Sequence, residues 1–340
     1  DAQESRGLGD VYKRQTLGLL LVIYREKLNW QEFRQSQRCI FVYGLIVLVV
    51  FCLLAGGVKW SGLGLTADVV AWGTPGTPLL ASQVLLVIGL GLCLVIVSLF
   101  SKPPAAGKVV WNLDVLLGVS IWLVAVILWL TPPLKPSYFA PVPVPPNNEF
   151  YPYSDAALHD LIAQNVLIGE GLGGGGGQVV RRPLYAVFLV LLHLIGGQDY
   201  LKVTALQVLV LATLPVAAYW LGRFLHNRLA GILVALLLII QEYNAMQLSD
   251  VINVSHSRLL MSDVPAALGV ITFTLALMTW LRDPTRGALR ALLAGGILGA
   301  VMLIRPQAAV LLVAAAVSAL VVCWRCRLVW LRGMLLLTLG

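Results

Sequence analysis

The chain has 340 residues, of which 59% are apolar and 12% charged, with a mean hydropathy of +0.86. Soluble domains carry about 25% charged residues, so this composition excludes a soluble globular protein. It predicts an all-α polytopic membrane protein, with about nine or ten segments able, or nearly able, to cross a hydrocarbon core ~30 Å thick. The net charge of +8 calls for no nucleic-acid partner, because Lys and Arg gather in short loops between apolar runs, as the positive-inside rule expects. The five cysteines imply no disulfide framework. Cys323 and Cys326 form a CxxC with no second pair and no nearby His, which reads as chance spacing at the edge of a span.

In chain order, residues 1–15 (DAQESRGLGDVYKRQ) have no apolar period and resemble a non-native, adapter-like leader, so they are set aside from fold reasoning. Residues 16–112 form an N-terminal transmembrane region: a half-length run from Thr16 to Tyr24, spans Cys39–Val58 and Pro78–Phe100, and basic loops at 25–38 and 101–112. Leu113 to Leu130 is another span. Thr131 to Pro152 then holds eight of the seventeen prolines, which forbids a helix and predicts an extended segment.

The long polar interval of the chain follows, from Tyr151 to Arg182. Ser154 reads as an N-cap, and Ala156 to Ile168 as an amphipathic helix ended by Gly169. Asp155, His159 and Ile162 share one face of it at helical spacing. The glycine run 171–177 is a mobile connector without assigned chemistry. Pro183 to Gly197 is apolar but short. Val203–Leu221, Leu229–Tyr243, Leu259–Leu281, Ala291–Ile304 and Gln307–Trp324 are further spans, and the chain stops inside the apolar run RLVWLRGMLLLTLG, which predicts a C-terminally truncated module over 113–340.

Charge parity sets the expected topology. The loops 25–38, 101–112, 223–228, 282–290 and 325–327 are basic and belong in the cytoplasm. Two spans separate consecutive basic loops except in the centre, where three apolar runs intervene. The parity holds if Pro183–Gly197 does not cross, and its length of about 22 Å agrees. The alternative is a short span with every later loop inverted. With the non-crossing helix, segment 131–202 is a large extracytoplasmic loop carrying juxtamembrane helices. Asp155, His159, Asp160, Glu170, Arg181, Arg182, His256, Arg258, Asp263 and Arg305 then lie at the outer face of a multi-pass plasma-membrane protein.

An outer-face site has no nucleotide sugar to draw on, so an activated substrate must arrive on lipid. Arg305, at a span end, suits a lipid phosphate, because its planar fork pairs with phosphate oxygens; it is otherwise a snorkelling anchor. Asp155 is either a general base on an acceptor hydroxyl or a helix N-terminal charge. His159 either orients that base or sits at the interface. Asp263, early in an apolar run, is costly unless paired. Arg182 is a second phosphate contact or a solvated cation. Asp160, His256, Arg258 and Glu170 read as solvated charges. No metal-ligand spacing is evident, and no cofactor is implied.

The ordered set SDAALHDLIAQNVLIGEG, RRPLYAVFLVLLHLIGGQDY, VTALQVLVLATLPVAAYWLGRFLHNRLAGILVALLL, LLMSDVPA and LIRPQA, running from about Tyr151 to Ala316, resembles membrane glycosyltransferases of the GT-C class. The likeness is to the family-39-like bacterial relatives of dolichyl-phosphate-mannose protein mannosyltransferases. It implies a GT-C-like helical bundle, a polyprenyl-phosphate sugar donor, an acceptor glycan, lipid or protein, and inversion at the anomeric carbon. It also implies Asp155 as catalytic base, Asp263 as the acidic residue opening a later span, and Arg305–Pro306 as the phosphate-side pair. Ala156 stands where some members carry a second acid, and His159 where Tyr is common. Two other classes stay open: a transporter or flippase of lipid-linked sugars, which would need midplane polar groups and inverted repeats, and a non-catalytic membrane scaffold.

Overall fold

A computed structural model describes residues 79–100, 109–173, 180, 182–285, 287–323 and 327–340. The expectations for residues 1–78, for the loop at 101–108, for 174–179 of the glycine run, for Arg181 and Arg286, and for Arg325 and Cys326 fall outside those residues.

Helix α1 (Ala81–Phe100) and helix α2 (Val109–Leu130) precede the proline-rich segment. That segment is non-helical, as the prolines require. It holds a two-residue bridge between Ser137 and Ala140 and a cis Pro145–Pro146 bond. Helix α3 (Asp155–Leu167) and helix α4 (Pro183–Gly196) follow. Helices α5 (Tyr200–Leu211) and α6 (Thr213–Leu225) are joined at Ala212, whose helical φ of −61° carries one span of 26 residues through the junction. Asp199 starts it, its carboxylate accepting from Leu201 N at 3.0 Å and Lys202 N at 3.2 Å. Helices α7 (Arg228–Gln247), α8 (Asp263–Arg282) and α9 (Ala288–Ile304) come next, then a 3₁₀ turn (Pro306–Ala309), α10 (Val310–Val322) and α11 (Arg327–Leu339).

Among the described residues, four helices are long and apolar enough to cross a membrane: Leu113–Leu130, Tyr200–Leu225, Arg228–Gln247 and Asp263–Arg282. The protein is a multi-pass, all-helical membrane protein. Their exposed surfaces carry large apolar side chains such as Leu116, Ile127 and Val234, which suits contact with lipid rather than water.

Lipid tails are as apolar as Leu, so the spans associate by close packing and by interhelical hydrogen bonds. On α6 and α7 the backbones meet at glycine. A Cβ on Gly222 would stand 2.8 Å from Gly231 Cα, and a Cβ on Gly231 would collide with the Tyr219 carbonyl. Polar side chains stitch the other helices. Gln83 of α1 and Asn244 of α7 exchange amide hydrogen bonds of 2.9 and 2.7 Å. The indole of Trp129 on α2 donates to the Ile239 carbonyl of α7 at 3.2 Å, and that of Trp122 to the Leu209 carbonyl of α5 at 2.9 Å.

These contacts give the bundle two distinct ends. At one, Asp114 of α2 meets Arg223 of α6 and Arg228 of α7. At the other, Lys135 beyond α2 donates to the Gln247 carbonyl at the end of α7 at 2.6 Å, and Arg258 ahead of α8 donates to the Pro132 carbonyl. Helix α5 starts at this second end: Gln207 donates to the carbonyls of Ser257 and Leu259 at 2.7 and 2.8 Å. Helices α3 and α4, which connect α2 to α5, pack on each other here. His159 and Asp160 of α3 touch Arg182 and His193 at opposite ends of α4.

The glycine contact can be tested directly. Gly231→Val pushes side-chain atoms into backbone that cannot move aside, and we expect a loss of about 1–3 kcal/mol. This is read as a lower thermal midpoint in detergent and a lower yield of monodisperse protein. Gly89→Ala, where nothing lies within 4 Å of the new Cβ, leaves both unchanged.

Candidate functional site

The site grows from the start of α3. The chain reaches it through a backbone bond from Tyr153 N to the Phe139 carbonyl at 2.9 Å. Ser154 occupies the N-cap position, but with φ 55° and ψ −127° its side chain makes no cap bond. This corrects the capping role read from the sequence: the positive φ departs from the extended backbone from which an N-cap side chain reaches the first-turn amides. Gly169, at φ 90°, closes the helix as expected. The inward face of α3 is Ala156, His159 and Ala163, an i, i+3, i+7 stripe. Asp155 is exposed beside that stripe, one turn (~6 Å) ahead of His159.

His159 is the centre of the arrangement. It is 5% exposed, with the Tyr185 ring perpendicular to it at 5.2 Å between centroids. Arg182, just before Pro183 opens α4, approaches His159 Nε2 through Nη1 at 2.9 Å. A guanidinium only donates, so Nε2 must be the lone-pair nitrogen and Nδ1 carries the proton. The imidazole is thus neutral. Burial pushes its pKa down to about 4, helped by the Arg182 and Arg305 cations and opposed by the Asp263 carboxylate. Of the three, only Arg182 bonds the ring; Arg305 and Asp263, bound to each other, act on it through their charges.

Asp263 and Arg305 are bound to each other, their side chains 32% and 13% exposed. Asp263 is the first residue of α8, where the positive end of the helix dipole favours a carboxylate. Arg305 ends α9 in an extended conformation, φ −148° and ψ 102°, as a residue before proline must. The Arg–Pro break therefore turns a guanidinium out of the helix and onto the acid that starts its neighbour.

Asp160, read from the sequence as solvated, is instead half-buried, its Oδ1 2.7 Å from His193 Nε2. His193 Nδ1 lies 2.8 Å from the Gly197 carbonyl. Both ring nitrogens face acceptors, so the ring binds as an imidazolium. The hydrogen bond to Asp160 is the main cause of its raised pKa. Gln164 and Gln198 exchange amide bonds of 2.7 and 3.0 Å beside this pair. Together they clasp the middle of α3 to the far end of α4.

His256 and Arg258 also depart from the solvated reading. His256 is 1% exposed, and its pKa is pushed down to about 3 by burial and by the Arg258 cation. The segment folds back into the bundle, with Ser257 N donating to the Glu242 carboxylate. Glu170 is exposed, as expected.

Of the five sequence-derived site residues, the structure bonds His159 to Arg182 and Asp263 to Arg305, the charges of the second pair acting on the His159 ring, while Asp155 stands one turn from His159 and is exposed. Sequence reasoning missed Tyr185, Gln207, His193 and Glu242. The last carried a usable signal, an acid inside an apolar run. Tyr185, its hydroxyl pKa raised well above the usual value by burial, donates to Gln207 Oε1 at 3.0 Å. Among the described residues no group of three His, Cys, Asp or Glu could hold a metal ion. An open apolar groove lined by Leu130, Ile195, Leu206 and Leu209, with Lys202 at its rim, lies at the opposite end of α4 from Arg182. Comparison of the chain with protein-family models, with curated proteins and with solved structures gives no match.

The clasp makes stability depend on pH. Asp160 raises the His193 pKa above its ordinary 6.5, so the contribution is full below about pH 6.5 and is lost as pH rises through the raised value. A charge-assisted bond of this kind contributes about 1.5–3 kcal/mol. Between pH 6 and pH 9 the thermal midpoint of the wild type in detergent falls by several degrees more than that of Asp160→Asn.

Proposed function

We propose that the cluster around His159 holds the phosphate of a polyprenyl-phosphate sugar, and that the protein is an inverting glycosyltransferase of the GT-C kind. The observation that carries this reading is the convergence of two guanidiniums at helix ends: Arg182 bonds the neutral His159, and Arg305, held by Asp263, acts on the same ring through its charge. Guanidinium forks at the end of membrane-spanning helices suit a phosphate that must stay at headgroup depth while its lipid tail stays in hydrocarbon.

In this reading Arg182 and Arg305 contact the phosphate oxygens, and Asp263 holds Arg305 in line. Asp155, exposed beside His159, accepts the proton of the acceptor hydroxyl as that oxygen attacks the anomeric carbon from the side away from the phosphate. The new glycosidic bond forms, the bond from sugar carbon to phosphate oxygen breaks, and the polyprenyl phosphate leaves with its electron pair. The two arginines stabilise the charge gathering on that leaving oxygen. The acceptor is a hydroxyl of a glycan, a lipid or a protein.

The outer face is the side we assign to this site, from Arg223, Arg228 and Arg282, which mark basic loops at the other end of the bundle. The packing of α3 against α4 favours this: α2 ends and α5 begins at the same end, and α3 touches both ends of α4. A non-crossing α4 accounts for all three features and keeps the parity of the basic loops.

Membranes carrying the protein, supplied with a radiolabelled polyprenyl-phosphate hexose, transfer label to an endogenous acceptor. Asp155→Asn lowers that transfer by about 10²–10⁴-fold, the range for a general base; transfer at the wild-type level refutes the role. Arg305→Ala weakens donor binding, and unchanged binding removes its phosphate contact. Single cysteines at Asp199 and His226 label from outside and inside respectively; the reverse pattern overturns the orientation.

A further inference from the structure

The end of the bundle away from this site carries a second built cluster. Asp114 is fully buried at the start of the α2 span. Arg228 donates to its two oxygens through Nε at 2.7 Å and Nη2 at 3.1 Å. Arg223 Nη2 lies 2.7 Å from Oδ2, and the Tyr219 hydroxyl donates to Oδ1 at 2.7 Å. The Arg223 guanidinium sits 4.9 Å from the Trp220 ring centroid. Arg282 lies 3.4 Å over the Phe224 ring and donates to the Phe224 carbonyl at 2.9 Å. Three guanidiniums therefore converge on the turn between α6 and α7.

The charges are arranged asymmetrically. The Asp114 side chain has no exposure, whereas those of Arg223 and Arg228 keep 25% and 33%. The negative partner is inside and the positive edge faces out. The other described acid at this turn, Asp283, accepts from the Thr285 hydroxyl at 2.8 Å. The α7 N-terminus, capped by Asn227 accepting from Ala230 N at 2.8 Å, adds the positive end of a helix dipole.

We propose that this cluster binds the phosphate of an anionic phospholipid headgroup. The ends of the α2, α6–α7 and α8 segments define the membrane surface on this side, so headgroup phosphates lie at the depth of these arginines. Arginine forks match phosphate oxygens bidentately. Trp220 and Phe224 give the guanidiniums aromatic faces to stack on at the interface. Asp114 orders Arg223 and Arg228 in advance, so a headgroup meets a positioned pair and binding freezes little side-chain motion. The inference is independent of the glycosyl-transfer reading, which concerns the other end of the bundle.

The test uses the purified full chain in zwitterionic detergent, exposed to equimolar phosphatidylglycerol and phosphatidylcholine, with retained lipids counted by native mass spectrometry. Phosphatidylglycerol is retained in preference. Arg282→Gln and Arg223→Gln each reduce that preference by about fivefold, the effect of one basic residue near a membrane surface. Arg282→Gln spares the buried Asp114 group, so it reports on binding even if Arg223→Gln does not fold. Equal retention of the two lipids overturns the proposal, as does a preference unchanged in Arg282→Gln. Loss of bound phosphatidylglycerol to millimolar inorganic phosphate also overturns it, because the site would then be one for free phosphate.

Discussion

A charge taken out of water needs a counter-charge or a ring of donors, and hydrocarbon supplies neither. That constraint sorts this molecule. Asp263 opens α8 and is met by Arg305 closing α9. Asp114 begins a span and is met by two arginines and a tyrosine. Glu242, within α7, is met by a backbone amide of the segment 255–262, which folds back to reach it. Each acid lies at or near a helix end, and each draws a second element onto that end. The pairs therefore fix which helix ends are neighbours, and the apolar surfaces between them have only to fit.

Close fit between the spans is provided by small residues and by a few side-chain amides. The glycine contact between α6 and α7 brings backbone to backbone. The Gln83–Asn244 exchange does the same work with polar groups for α1 and α7. Such contacts leave little freedom to the central hairpin. The segment between α2 and α5 is held differently. Helices α3 and α4 meet through a histidine and an arginine at one end, and through a histidine, an aspartate and two glutamines at the other. The precision of the His159 environment depends on these side chains and not on the spans.

The sequence showed what local chemistry decides. Proline density marked 131–152 as non-helical, Gly169 marked the end of α3, and the Arg–Pro step marked the end of α9. It also isolated Arg182, His159, Asp263 and Arg305, since polar residues in an apolar chain are few and conspicuous. What it did not show depends on tertiary partners. Asp160 looked solvated because its partner, His193, is on another helix. His256 and Arg258 looked like loop charges because nothing local indicates that the loop folds inward. Ser154 had the right identity for a cap, but its backbone angles exclude the bond. Asp114, at the start of an apolar run, gave no hint that two arginines more than a hundred residues away would enclose it.

The amide of Gln207 fixes the direction of one further proton. Its nitrogen donates to the carbonyls of Ser257 and Leu259, so its oxygen is the end turned toward Tyr185. A carbonyl-type oxygen can only accept, and the Tyr185 hydroxyl must therefore be the donor. The phenolic proton is committed to Gln207, and the ring meets His159 as a perpendicular aromatic pair. Beside that histidine Tyr185 is thus an inert neighbour: it packs against the imidazole and keeps water from it, but it has no proton to lend.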